Sequence, residues 1–380
     1  MHDWTKIIKK TTVADKLSGA VNTPIQLSTT FNQPSFDHFG EFDYARSGNP
    51  TRKVAEDAVA SLEDARYGFL YSTGMAAISS VLLTFSQGDH LIVSKYVYGG
   101  TFRILEQVLN RYGIEHTFVD LGDLDAVRTA IKPNTKAIYI ETPSNPILAV
   151  ADLDALVAIA HEHKLLTIAD NTFMSPVLQK PIKHGVDIVV HSATKFLSGH
   201  SDILAGAAIT DNKELADRIY FIQNAVGATL GVTDSWLLLR GIKTLGIRMQ
   251  QSSSAALKIA TWLEKQPQVT RVCYPGLPSN PGYAIQKRQA KNGGAVLSFD
   301  VGSEDNARII AENTKIPEFS VSLGGTETIL SYPPKMSHAE LSEAERAKSG
   351  ITPGLLRYSV GIEDPDDLIA DLQQALALIK

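Results

Sequence analysis

The chain has 380 residues, 44% hydrophobic and 20% charged, with 36 basic against 41 acidic residues and a net charge of −5. That composition suits a soluble globular protein and gives no electrostatic reason to expect nucleic acid or an anionic membrane surface as a partner. The single cysteine, Cys273, excludes an internal disulfide and a CxxC zinc site, and no long apolar run or signal-peptide core appears, so a cytoplasmic protein is expected.

Residues 1–45 lack a sustained period and are rich in Thr, Ser, Pro and Phe, as in NTPIQLSTTFNQPSFDHFGEFDY. They read as an extended arm, either reaching onto a neighbouring subunit or lying as a surface loop. From about residue 55, strands and helices alternate. TRKVAEDAVASLEDA places Val54, Ala58 and Leu62 at helical spacing, and MAAISSVLLTF follows the apolar run YGFLYS and Gly74. DHLIVS predicts a strand, and YGGTFRILEQVLNRYG predicts a helix with Phe102, Leu105 and Leu109 on one stripe. IEHTFVD, KAIYIE, LLTIAD and DIVVHSA are further strands, and ADLDALVAIAHEHK is a helix between two of them.

Near-continuous apolar strands separated by helices predict an α/β fold. Its sheet should be parallel and covered on both faces, with right-handed crossovers. Past residue 244 the pattern changes to a long helical stretch, SSSAALKIATWLEKQ, then strands in NGGAVLSFDV and ILSYPP, and a closing amphipathic helix, DPDDLIADLQQALALIK. The division expected is an arm over 1–45, a large domain over 46–243 and a smaller α/β domain over 244–380.

Ligands in open α/β sheets bind beyond the carboxyl ends of the strands. That rule selects Ser72 to Met75, Tyr98 to Gly100, Glu141 to Asn145, Asp170 to Thr172 and Ser192 to Lys195. STGMAA lacks both GxGxxG and a P-loop, so by itself it is an ordinary turn whose free N–H groups are able to bind an anion. Asp170 closes an apolar strand and needs a partner, either a helix N-terminus or a cationic ring nitrogen. Lys195 follows another apolar strand among Ser192, Thr194, Ser198 and Gly199. It is either a snorkelling surface lysine or an amine whose lowered pKa suits Schiff-base chemistry. The pair His161 and His163 is a solvated helix end and not a metal site, while His191 and His200 read as satisfied hydrogen-bonding histidines.

DNTF and SATKFLSGHSD, together with PIQLSTTF, YARSGNPT, STGMAA, YGGT, ETPSNP, SVSLGGTET and LRYSVGIED, resemble the pyridoxal-phosphate enzymes of cysteine and methionine metabolism, in the family's order along almost the whole chain. The resemblance implies an aspartate aminotransferase-like fold (fold type I), with an arm, a cofactor domain and a smaller C-terminal domain. It also implies a homotetramer, a dimer of dimers with active sites shared between two subunits. Carried over by motif, Lys195 would carry the cofactor, Asp170 would pair with its ring nitrogen, and Gly74, Met75, Ser192 and Thr194 would hold its phosphate. Tyr44 and Arg46 would reach the neighbour's phosphate, and Tyr98 would stack on the ring and help move protons. Arg357, with Ser322 and Asn145, would bind the carboxylate of a small sulfur amino acid.

Methionine γ-lyases typically have cysteine where this chain has Gly100, and enteric β-lyases have Tyr-Ser-Trp where it reads Val321-Ser322-Leu323. Cystathionine γ-lyases often line the distal pocket with an acidic residue, an arginine and a glutamate; Asp43 and Arg103 match the first two and Val321 replaces the third. The expectation is a carbon–sulfur lyase acting on L-cystathionine, with γ-cleavage favoured and β-cleavage and hydrogen sulfide release as side reactions. A β-lyase, a γ-synthase or acylhomoserine thiol-lyase, and an inactive binding protein on the same fold are the alternatives.

Overall fold

A computed structural model describes residues 1–339 and 341–379. Seven strands form the larger sheet: β1 (Tyr67–Tyr71), β2 (His90–Ser94), β3 (Glu115–Val119), β4 (Thr135–Glu141), β5 (Leu166–Asp170), β6 (Ile188–His191) and β7 (Gly206–Thr210). They lie in the order β1-β7-β6-β5-β4-β2-β3. The pairs β2–β3, β2–β4, β4–β5 and β5–β6 are parallel. Ile92, Ile138, Ile168 and Val189 are fully buried, as strands covered on both faces require.

The sheet departs from the expected parallel arrangement at β7, a strand the apolar pattern does not reveal. It runs antiparallel to both β1 and β6. Residues 192–205 form turns and irregular chain, with no crossover helix. A parallel return usually needs such a crossover, so the chain folds back antiparallel. The strand reads GAAIT because its start is tightly packed: a Cβ on Gly206 would fall 2.1 Å from the Thr73 carbonyl oxygen. Small residues there hide it from a search for branched and aromatic side chains.

Two other expectations need correction. Residues 1–45 are not wholly irregular, because Asp3–Lys10 is a helix that buries Ile7. Lys6 pairs with Asp64, and Lys180 bridges Asp3 at 2.7 Å and Asp64 at 2.9 Å. Burial raises the Asp64 pKa, but Lys6, Lys180 and Lys183 together hold the carboxyl well below its usual range. The expected helix over 98–113 is broken into an α-turn Gly99–Arg103, a wider π-turn Ile104–Val108 and a tight 3₁₀ turn Leu109–Tyr112, ended by left-handed Gly113. Leu105 and Leu109 are still buried.

The smaller sheet contains β8 (Arg271–Cys273), β9 (Val296–Asp300), β10 (Glu318–Phe319), β11 (Ile329–Ser331) and β12 (Leu355–Ser359), in the order β10-β11-β12-β9-β8. Only the short β10–β11 pair is parallel among these. Phe299 and Tyr358 share a core with Leu368, Leu372 and Leu376 of the helix Pro365–Leu376. The helix Leu245–Leu263 places Leu245 and Met249 in the core of the larger sheet and Ile259 and Leu263 in that of the smaller.

Candidate active site

A cavity of about 400 Å³ opens at the carboxyl ends of β4, β5 and β6, where the smaller sheet meets the larger. Lys195, Asp170, Tyr98, Gly74, Met75, Ser192 and Thr194 line it from one side, and Arg357, Ser322, Asn145, Val321 and Arg103 complete it. Tyr44, Arg46 and Asp43 do not line it. Arg46 instead donates to the Asn224 carbonyl at 2.6 Å and to its side chain at 3.0 Å, with its guanidinium 5.5 Å from the Tyr44 ring. The Asp43 carboxylate accepts from the Tyr44 N–H.

Lys195 sits on the turn after β6. The turn closes through Gly199, whose N–H donates to the Lys195 carbonyl at 2.8 Å and whose φ is +72°. Glycine is needed twice over, since a Cβ there would also fall 1.9 Å from Arg248 Nη1. Arg248 clamps the turn by donating to the Phe196 and Gly241 carbonyls, each at 2.8 Å. The Lys195 amine does not snorkel; it donates to Ser322 Oγ at 2.6 Å. Burial and the nearby Arg357 push its pKa down to about 8. Roughly a tenth is therefore unprotonated, and nucleophilic, at pH 7, far more than for an ordinary lysine.

Asp170 accepts from the Thr172 N–H at 3.0 Å and from the Thr172 hydroxyl at 2.5 Å. Burial pushes its pKa up despite these bonds. Glu141, at the end of neighbouring β4, accepts from Tyr98 N–H at 2.7 Å and Asn145 N–H at 3.1 Å. Burial and then Asp170 push its pKa up as well. Two buried carboxylates side by side disfavour ionisation, and a cation placed against Asp170 relieves that cost.

Arg357 is buried on β12. It donates to Asn145 Oδ1 at 3.0 Å, the Ser322 carbonyl at 2.5 Å and Ser331 Oγ at 2.9 Å. Three of its five N–H donors are used. Its Nε has no partner and is buried. An unpaired buried donor on a cation calls for an anionic acceptor. Burial also pushes the Arg357 pKa down to about 10. Ser322 carries a φ of +77°, uncommon for a non-glycine residue, and so presents its hydroxyl to Lys195 and its carbonyl to Arg357. Burial and Arg357 hold the nearby His338 imidazole down to about 4, so it adds no second positive charge at neutral pH.

The helix Gly74–Leu82 starts against the cavity. Thr73 caps it, accepting from Ala76 N–H at 2.9 Å. A Cβ on Gly74 would fall 2.8 Å from Ser192 Cβ, so glycine lets the helix start approach the Ser192 turn. Free N–H groups in the first turn of a helix can receive an anion, and Ser192 lies beside them. Thr194 is less free, because its hydroxyl donates to the Ala205 carbonyl at 3.1 Å and accepts from Ala205 N–H at 2.9 Å.

Sequence reasoning assigned no role to Glu141 or Thr172, although both lie at strand ends it had marked. Ser331 and His338 had no local signal. Ser331 reaches Arg357 because β11 pairs antiparallel with β12 and sets those two residues opposite one another. Among the described residues no group of three or more His, Cys, Asp or Glu side chains could hold a metal ion, and no helix is long and apolar enough to cross a membrane. His161 and His163 are exposed at a helix end, while His191 is buried 2.7 Å from Glu63.

A buried lysine with a depressed pKa, a buried strand-end aspartate, a helix start packed on Ser192 and a buried arginine with an unpartnered donor meet at the carboxyl ends of a doubly covered sheet, the arrangement expected of a pyridoxal-phosphate enzyme of fold type I. The profile of the family "Cys/Met metabolism PLP-dependent enzyme" matches residues 4–377, and the chain belongs to that family. It is 53% identical over 378 residues to the cystathionine β-lyase MetC of Bacillus subtilis (strain 168), covering 99% of this chain and 97% of that one. It is 46% identical over 376 residues to the cystathionine γ-lyase of the same organism, with 99% of each covered. A solved structure, cystathionine γ-lyase from Lactobacillus plantarum complexed with L-serine, superposes with a TM-score of 0.97 at 43% identity, covering 100% of this chain and 99% of that one. The protein is therefore a pyridoxal-phosphate enzyme of the cystathionine lyase group, with a small-molecule amino acid as substrate.

Proposed function

We propose that this protein is a carbon–sulfur lyase of L-cystathionine. Its main reaction is β-cleavage: cystathionine and water yield homocysteine, pyruvate and ammonia. The observation that carries the reading is Val321, an exposed apolar side chain at the rim of the cavity that also holds Arg357 and Lys195. An apolar group there cannot pair with the distal ammonium, so the distal end does not dictate which half of cystathionine sits at Arg357. The route needing fewer proton transfers then leads, because β-cleavage needs a proton from Cα whereas γ-cleavage needs one from Cβ as well. The 53% identical β-lyase relative supports the same choice. This reverses the γ preference expected from the sequence.

γ-Cleavage to cysteine, 2-oxobutanoate and ammonia is the second reading. Arg103 on the cavity wall favours it, as does the 46% identical γ-lyase relative.

The residues present fit the cofactor. Gly74 leaves room that a Cβ would fill beside Ser192, and the buried, neighbouring Asp170 and Glu141 carboxyls suit a cationic ring nitrogen placed against Asp170. In this reading the Gly74 and Met75 N–H groups and Ser192 hold the phosphate, Asp170 holds the ring nitrogen and Lys195 holds the aldehyde carbon. Thr194, on the cavity wall, would be a further phosphate donor if its hydroxyl turned from the Ala205 carbonyl. When bound, pyridoxal phosphate supplies an electron sink for charge developing at the substrate α-carbon. Arg357, steadied by Asn145 and Ser331, binds the α-carboxylate and fixes the α-carbon relative to Lys195. The Lys195 amine would take the Cα proton and return it to the sulfur of the departing thiolate. Tyr98 covers the cavity and assists proton transfer there.

Tyr44, Arg46 and Asp43 serve a neighbouring subunit in this reading, as parts of a shared-site dimer within a homotetramer in the cytoplasm. Their position outside their own chain's cavity and the exposed apolar side chains of the arm, Leu27, Phe36 and Phe39, support it. The deciding experiment identifies the keto acid and the thiol formed from L-cystathionine. Pyruvate with homocysteine is expected, and 2-oxobutanoate with cysteine as the main pair overturns the β reading.

A further inference from the structure

Beneath the cavity lies a polar network that no step above uses. Glu63, the residue that follows the helix Pro50–Leu62, is fully buried. Its Oε1 accepts from Asn171 Nδ2 at 2.9 Å and from His191 Nε2 at 2.7 Å, while Oε2 has no partner. A carboxylate out of water is costly unless it is paired, so a chain that retains one there gains from where its bonds go. They go to two residues with particular neighbours. Asn171 directly follows Asp170, and His191 directly precedes Ser192. The β5–β6 ladder ends with Asp170 opposite Val190, and Glu63 ties the chain together one residue further along on both strands. Gln179 extends the tie, donating to Asn171 Oδ1 at 3.2 Å and to the Thr142 carbonyl beyond β4 at 3.3 Å. None of Glu63, His191, Asn171 or Gln179 lines the cavity.

We infer that Glu63 and His191 form a buried positioning pair that sets the spacing of Asp170 from Ser192, and so governs how tightly the cofactor is held. The inference rests on the reading that those two residues hold the cofactor's ring nitrogen and phosphate. The two contacts are carried by different strands, and a cofactor bridging them binds best at one separation. The hydrogen bond between the His191 ring and the Glu63 carboxylate is charge-assisted at the acceptor, the stronger kind. Together with the bond from Asn171 to the same Glu63 oxygen, it joins the two strand ends without touching the ligand, the arrangement by which outer residues orient ligand-holding ones.

The test measures pyridoxal-phosphate dissociation from the full-length holoenzyme of wild type, Glu63→Gln, His191→Leu and Asp170→Ala. The absorption band of the bound cofactor, the KM for cystathionine and the melting temperature are recorded in parallel. Glu63→Gln and His191→Leu should each weaken cofactor binding at least about ten-fold, the scale of one charge-assisted hydrogen bond, and move the absorption band. KM should stay within about two-fold of wild type, because Arg357 lies on a different sheet. A lowered melting temperature with unchanged cofactor affinity in both variants makes the pair merely structural and overturns the inference. Asp170→Ala separates the two levels of argument. If it weakens binding while the pair variants do not, the inference fails alone; if it too leaves affinity unchanged, the cofactor seat itself has been misread.

Discussion

Removing the positive charge of Lys195 should change how the stability of the cofactor-free protein depends on pH, in a direction its burial dictates. The amine's pKa is about 8 in the fold against an ordinary 10.5. Below 8 the lysine is protonated in both states, and the folded protein carries the full cost of burying a cation. Above 8 the folded state has released its proton while the unfolded chain still binds one, so stability rises with pH. With those two pKa values, wild type should gain about 1 kcal/mol by pH 9 and about 2–3 kcal/mol by pH 10, relative to pH 7. Lys195→Met, of similar length and without a charge, should lack that gain. The assay is denaturant unfolding of both apo proteins at pH 7, 9 and 10, taking the difference so that other titrating groups cancel. A difference that stays flat or falls with pH would refute the buried, depressed amine.

Arg357→Lys keeps a charge but loses the fork. With two N–H donors left for substrate at roughly 1.5–3 kcal/mol each, kcat/KM for cystathionine should fall at least about a hundred-fold. A fall of less than about three-fold removes Arg357 from carboxylate binding. Val321→Glu restores an anion at the exposed rim and should move the product ratio toward cysteine and 2-oxobutanoate by about five-fold, the worth of an exposed ion pair. An unmoved ratio means that Val321 does not face the distal end. Arg46→Ala and Lys195→Met proteins, each inactive, should regain activity after being unfolded and refolded together, since a mixed dimer contains one intact shared site. No recovery in proven mixed dimers would show that Arg46 serves its own chain or none.

Much of the site was legible because chemistry and periodicity coincide in it. Apolar runs locate β4, β5 and β6, and the polar residue after each run falls at the cavity. Asp170 and Lys195 could be found that way by anyone knowing where ligands bind on such sheets. The motif LRYSVGIED marked Arg357, although nothing local tells whether its side chain faces ligand or core. Period-2 and period-3.6 patterns report which face of an element is buried and say nothing about what lies across from it.

The sequence by itself determined the alternation of strand and helix, the polar strand ends and the family. The tertiary structure decided everything that depends on distant segments meeting. Ser331 reaches Arg357 only through the β11–β12 register. Asp170 raises the pKa of Glu141 because β4 and β5 are neighbours. The β7 strand runs antiparallel because no crossover helix precedes it, and the GAAIT pattern could not announce it. Lys195 itself shows the division. Its residue type and its place after a strand are local facts, whereas its lowered pKa comes from burial beneath Ser322 and from Arg357, both contributed from more than a hundred residues away. Desolvation and Coulomb interactions act through space, and a linear chain does not display which of its residues will share that space.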